Sequence, residues 1–79
     1  MQITVKLYAT LRKYGPSLPP GAGLALDLPD GSDVAAVAQH LGIPEGAPLV
    51  AMVNDEAVHV DHVVVAGDMV SLFPPVAGG

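Results

Sequence analysis

Ile3, Val5 and Leu7 alternate with Gln2, Thr4 and Lys6, a period of two that predicts a strand over residues 2–8 with one apolar face. Ala9 to Tyr14 could close a helical turn, after which Gly15-Pro16 and Pro19-Pro20-Gly21 break the chain into a loop over 15–23. Leu24, Leu26 and Leu28 alternate again around Ala25 and Asp27, giving a second strand antiparallel to the first, stopped by Pro29-Asp30-Gly31. The period then lengthens. Val34, Val37, Ala38 and Leu41 fall at i, i+3, i+4 and i+7, the stripe of a helix over 33–41, with Ser32 expected as N-cap and Asp33 facing the positive end of the dipole. Gly42 takes the left-handed position that ends such a helix, Ile43 supplies the accompanying hydrophobic contact, and Pro44 prevents continuation. Leu49 to Val53 reads as a buried strand, but an unbroken apolar run does not say which face points inward. Asn54-Asp55 is a turn and Glu56 to Val60 a shorter strand or edge. After the Ala66-Gly67-Asp68 turn, Met69 to Phe73 form the last strand, which Pro74 ends because it cannot donate to a ladder.

Strand, strand, helix, strand, short strand, strand is an α+β order with no repeat or linker. A single helix can cover one face of a mixed sheet of about five strands if the first and last strands pair in parallel, which is the β-grasp arrangement. The expected organisation is a β-grasp domain over 1–73 and an extended C-terminal tail over 74–79. Alternation that sends Val70 and Leu72 inward with Ile3, Val5 and Leu7 turns Met69, Ser71 and Phe73 to the opposite face. Two readings of Phe73 remain open: a cap on the end of the core, or, with Met69 and beside Tyr8 or apolar residues of 49–53, part of a docking patch.

Composition narrows the chemistry. With 79 residues, no Cys and 51% hydrophobic residues, the chain is one small domain held by apolar packing alone, without disulfide, thiolate metal site or cysteine nucleophile. No apolar run is long enough to span a membrane, and Met1 leads straight into the alternating strand without a secretion signal, so the cytoplasm is the expected compartment. The net charge is −5, and the 3 basic side chains, Lys6, Arg12 and Lys13, precede every carboxylate. That distribution disfavours nucleic acid and fits a solvated acidic face or steering toward a basic protein. His59 and His62 with Asp55, Glu56 and Asp61 are the only group resembling metal ligands. On an extended segment the two imidazoles point apart, so no metal site is expected. No nucleophile triad, phosphate loop or dinucleotide fingerprint is present, and no cofactor is expected on this chain.

What remains is the tail, Phe73-Pro74-Pro75-Val76-Ala77-Gly78-Gly79. Glycines alone would suit a frayed terminus. The prolines argue for more: each fixes its own φ and extends the residue before it, so the stem projects as a semi-rigid rod, reaching roughly 19 Å in polyproline geometry. A diglycine end threads a channel too narrow for any Cβ and offers the least hindered carboxylate a protein has. A carboxylate is a poor electrophile, so chemistry at Gly79 needs activation from outside, and a mixed anhydride with a nucleotide is the expected form.

Val70 to Gly79, the Ala66-Gly67-Asp68 turn, the N-terminal Val5 to Arg12 and Val53-Asn54 together resemble the small subunit of molybdopterin synthase, a ubiquitin-like sulfur carrier. The tail is the specific part; the N-terminal match is generic to such carriers, and the Gly15 to Gly23 segment departs from them. The resemblance implies a cycle on Gly79. A ubiquitin-activating-type enzyme adenylates its carboxylate with ATP, and a sulfur donor such as a cysteine desulfurase or rhodanese-like protein converts it to the thiocarboxylate, 1-thioglycine. Pro74, Pro75, Val76, Ala77 and Gly78 then insert into the large subunit of a heterotetrameric synthase, where the sulfur attacks cyclic pyranopterin monophosphate. Catalytic side chains are expected on the partner, and no protease is expected to be needed to expose Gly79. Carriers for tungsten pterin, thiamine, cysteine or tRNA thiolation share fold and diglycine, as does a ubiquitin-like modifier of lysines. A plain interaction module with an inert tail is the third alternative.

Overall fold

The computed structural model describes residues 1–16 and 22–75. Five strands form one sheet: β1 Gln2–Leu7, β2 Leu24–Asp27, β3 Val50–Val53, β4 Glu56–Val58 and β5 Met69–Phe73. They lie in the order β2-β1-β5-β3-β4. β1 pairs with β5 in parallel and with β2 antiparallel, while β3 runs antiparallel to both β5 and β4. The helix α1, Val34–His40, covers one face. This is the β-grasp architecture expected from the element order, with the parallel β1–β5 pair at its centre.

Each strand sends alternate side chains to the helix-covered face. Ile3 and Val5 of β1, Ala51 and Val53 of β3, and Val70 and Leu72 of β5 are buried there against Val34, Val37 and Ala38 of α1, with Ile43 and Val64 closing the ends. Pairing decides what the apolar run over 49–53 could not. Ala51 lies opposite Leu72, and Val53 opposite Val70, so these two point inward while Val50 and Met52 face out. β5 spans Met69–Phe73 as predicted, and the other four strands are one to two residues shorter than the periodicity predicts. β2 stops at Asp27, leaving Leu28 buried beyond it, and β4 stops at Val58. Leu7 is half-buried against the core rather than fully within it.

The N-cap of α1 is Asp33, not Ser32. The Asp33 carboxylate accepts from the Ala36 amide at 2.8 Å, whereas the Ser32 hydroxyl donates to the Pro29 carbonyl at 2.7 Å. Asp33 wins because the preceding chain is committed elsewhere: Asp33 bridges to Val63, and the Val64 amide donates to the Ser32 carbonyl. The same contact completes the helix start. The amides of Val34 and Ala35, which have no partner within the helix, donate to the carbonyls of His62 and Val60 at 3.0 and 2.8 Å. The C-terminus follows the predicted Schellman pattern: Gly42 at φ +84°, its amide on Gln39 and the Ile43 amide on Ala38.

Asn54 and Asp55 both have positive φ, 49° and 70°, as a two-residue type I′ hairpin requires. Asn54 also does a second job. Its side chain donates to Asp68 at 2.9 Å and accepts from the Met69 amide at 3.0 Å, and the other Asp68 carboxylate oxygen accepts from the Val65 amide at 2.9 Å. Asp68 is the one buried charged residue among those described, and this network fixes the turn that launches β5 beside β1. Asp68→Ala leaves the Val65 amide and the Asn54 side chain without their acceptor, an expected loss of about 2 kcal/mol in urea unfolding. Asn54→Ala combined with it should cost less than the sum of the two, because both substitutions break one network.

Candidate functional site

The tail leaves the domain from the end of β5, and the structure shows how its root is held. Parallel pairing sets Leu7 beside Leu72, so the next residues on each strand, Tyr8 and Phe73, emerge together on the helix-free face. Their rings stack with centroids 4.4 Å apart and an interplanar angle of 11°. The Tyr8 amide donates to the Leu72 carbonyl at 3.1 Å, extending the ladder one residue beyond β1. Beyond Tyr8 the backbone turns at Ala9, with φ +51°, into a 3-10 helix over Ala9–Tyr14 that carries Arg12 and Lys13. Phe73 is therefore half-buried beside its neighbour on the helix-free face and is not a member of the core.

That face is continuous. Val50 lies opposite Phe73 in the β3–β5 ladder, and Met52 opposite Ser71, itself opposite Lys6 on β1. Met69, the other predicted docking residue, is on the same face but four positions before Phe73, about 13 Å along an extended strand, beside Thr4. Val50 at 45% and Met69 at 37% exposure are among the large apolar side chains left uncovered. The face thus carries Tyr8, Phe73, Val50 and Met52 near the tail and Met69 at its far end. Tyr8 and residues of 49–53 are the neighbours the sequence offered for Phe73, and register selects among them: once β1 and β3 flank β5, Tyr8, Val50 and Met52 must share its face.

Pro74 is half-buried and Pro75 exposed, so the proline stem begins at the domain surface. The remaining tail residues, Val76, Ala77, Gly78 and Gly79, lie outside the described residues, as do residues 17–21 of the loop. His59 and His62 are exposed on a bend in which the His62 amide donates to the His59 carbonyl at 3.0 Å. Among the described residues no group of His, Asp and Glu is placed to hold a metal ion, and no helix is long and apolar enough to cross a membrane.

A five-stranded mixed sheet grasping one helix, with the parallel β1–β5 pair at its centre, defines the ubiquitin-like fold class. The chain belongs to the ThiS family, whose model matches residues 5–79. It is a ubiquitin-fold sulfur carrier. Among solved structures it is similar to SAMP1 of Haloferax volcanii, at 24% identity and a TM-score of 0.71 over 100% of both chains. It is similar also to a putative molybdopterin converting factor subunit 1 of Pyrococcus furiosus, at 24% identity and a TM-score of 0.70, covering 95% of this chain and 98% of that one. A third likeness is to a chain in the complex of subunits 1 and 2 of the molybdopterin-converting factor of Helicobacter pylori, at 20% identity and a TM-score of 0.60 over 100% of both. No match to a curated protein is found.

Proposed function

We propose that this protein carries sulfur on Gly79 for the synthesis of molybdopterin. The observation that carries the proposal is the family match, which runs through Gly79, together with a tail root clamped by Tyr8 and Phe73 beside an open apolar sheet face. An adenylating enzyme of the ubiquitin-activating type attaches AMP from ATP to the Gly79 carboxylate and releases pyrophosphate. A sulfur donor then displaces AMP, leaving a thiocarboxylate. Pro74 to Gly78 carry that group into the active site of a large subunit, and Phe73 and Met69 dock on the subunit's surface. The reacting side chains belong to the partners, this chain binds no cofactor, and its place of work is the cytoplasm. The likeness to a molybdopterin-converting subunit 1, one relative of which is solved in complex with subunit 2, supports the choice of pathway, as does the Phe73-Pro74-Pro75 stem.

Intact-mass analysis tests the carrier step. The chain incubated with its adenylating enzyme, ATP and sulfide should gain about 16 Da, the replacement of one oxygen by sulfur at an activated acyl group. An unchanged mass under conditions where the enzyme consumes ATP would overturn the proposal. The pathway is tested separately by presenting the loaded protein to a molybdopterin synthase large subunit with cyclic pyranopterin monophosphate, where molybdopterin should form. A second reading has an observation in its favour, since the H. volcanii relative bears the name small archaeal modifier protein 1. In that role the same activated Gly79 forms isopeptide bonds to lysines, and adducts recovered from cells would show the lysine branch.

A further inference from the structure

The sheet face is not the only apolar surface left open. On the helix side, a groove of about 470 Å³ runs between α1 and the segment 43–49. Ala38 and Ile43, both buried, form its floor, and Ala35, Leu49 and Val60 its walls. The groove exists because α1 presents alanines where a larger side chain would fill the space. Its shape is fixed at both ends. The Ala35 amide holds the Val60 carbonyl at 2.8 Å, and the Schellman turn at Gly42 seats Ile43 under the helix end. Val60 stands 46% exposed at the rim, an apolar side chain that the domain itself does not cover.

The one charged side chain that lines this groove is acidic. Glu45 lines it, exposed, and the exposed Asp61 is the next residue after Val60 of its wall, while Lys6, Arg12 and Lys13 all lie on β1 and the 3-10 helix. We infer that the groove is a second docking site, and that its occupant is a segment of a partner protein with apolar anchors flanked by Lys or Arg. The apolar floor and walls supply the anchor pockets, and Glu45 and Asp61 select the sign of the flanking charge and speed encounter. Helix and sheet separate this groove from the face around Phe73, so a partner can hold the domain here while the tail root and its docking face stay free. This inference does not depend on the fate of Gly79.

The test is an amide-resolved NMR titration of the full chain at low ionic strength with two defined probes: an amphipathic peptide of Leu and Lys, and the same peptide with Glu in place of Lys. The Leu/Lys peptide should shift the amides of Ala35, Gln39, Gly46, Leu49 and Val60, and the Leu/Glu peptide should leave them unmoved. Ala35→Lys with Glu45→Lys, both at exposed positions, should weaken the Leu/Lys peptide at least tenfold, while Met69→Glu on the opposite face should not change its affinity. Equal responses to the two peptides, or shifts confined to Met52, Ser71 and Phe73, would overturn the assignment. So would the same groove shifts appearing on concentrating the protein alone, since the occupant would then be a second copy.

Discussion

Deleting Gly78 and Gly79 is expected to abolish sulfur loading completely while leaving the domain as stable as before. The first half follows from the chemistry of the acceptor. After the deletion the chain ends at Ala77, whose carboxylate is shorter in reach by about 6 Å at polyproline spacing and carries a Cβ beside the reacting carbon. A site built to receive two glycines gains a steric clash and loses the distance needed to bring the acyl carbon to the nucleotide. Misplacement of about 1 Å can cost two orders of magnitude in rate, so the expected residual mass shift is nil. The second half follows from the core, whose buried members among the described residues fall between Ile3 and Leu72. Thermal unfolding should therefore be unchanged, and the deleted protein should still compete with the intact one for the large subunit through its sheet face. A deleted protein that still gained about 16 Da would move the acceptor site elsewhere.

Sequence periodicity reached far into this fold because its longest signals are local. The alternation over Ile3, Val5 and Leu7, the stripe Val34, Val37, Ala38 and Leu41, and the Gly42-Ile43-Pro44 stop are each decided within a few residues, and each stands in the structure. Where the answer depends on distant partners, the pattern fell silent or misled. Leu49 to Val53 has no polar residue to mark a face, so only pairing with β5 turns Ala51 and Val53 inward. Ser32 and Asp33 are both good caps, and the choice between them is made by an isolated bridge 30 residues downstream, where Val63 pairs with Asp33. Asp68 reads as an ordinary turn residue, yet it is buried, because Asn54, 14 residues earlier, reaches it across the hairpin. The candidate site divides the same way. Phe73 is legible from alternation, but its stack on Tyr8 requires the parallel register of two chain ends, which no local pattern contains.

Leu72 and Phe73 are neighbours in sequence and opposites in consequence, and alanine at each should separate stability from binding. Leu72 is fully buried, at 0% exposure, at the centre of the sheet's covered face between Leu7 and Ala51. Truncation removes three carbons from a buried cluster rich in stiff β-branched side chains, Val5 and Val37 among them, which are poorly able to collapse into the space. The expected loss is about 3 kcal/mol, within the range for buried Leu→Ala. A domain of this size loses several degrees of Tm per kcal/mol, so the midpoint should fall by at least about 10 °C. Phe73→Ala gives up an aromatic stack worth about 1 kcal/mol at a half-exposed position, and the midpoint should fall by only a few degrees. Binding should reverse the order. An aromatic anchor at the centre of an interface typically costs 2 kcal/mol or more when truncated, which is about 30-fold in Kd. Measured on the folded fraction, Leu72→Ala should bind the large subunit nearly as well as the parent chain, since its side chain points away from the proposed docking face. If Phe73→Ala lowered Tm as far as Leu72→Ala while binding held, Phe73 would be a core residue and the sheet face would lose its role.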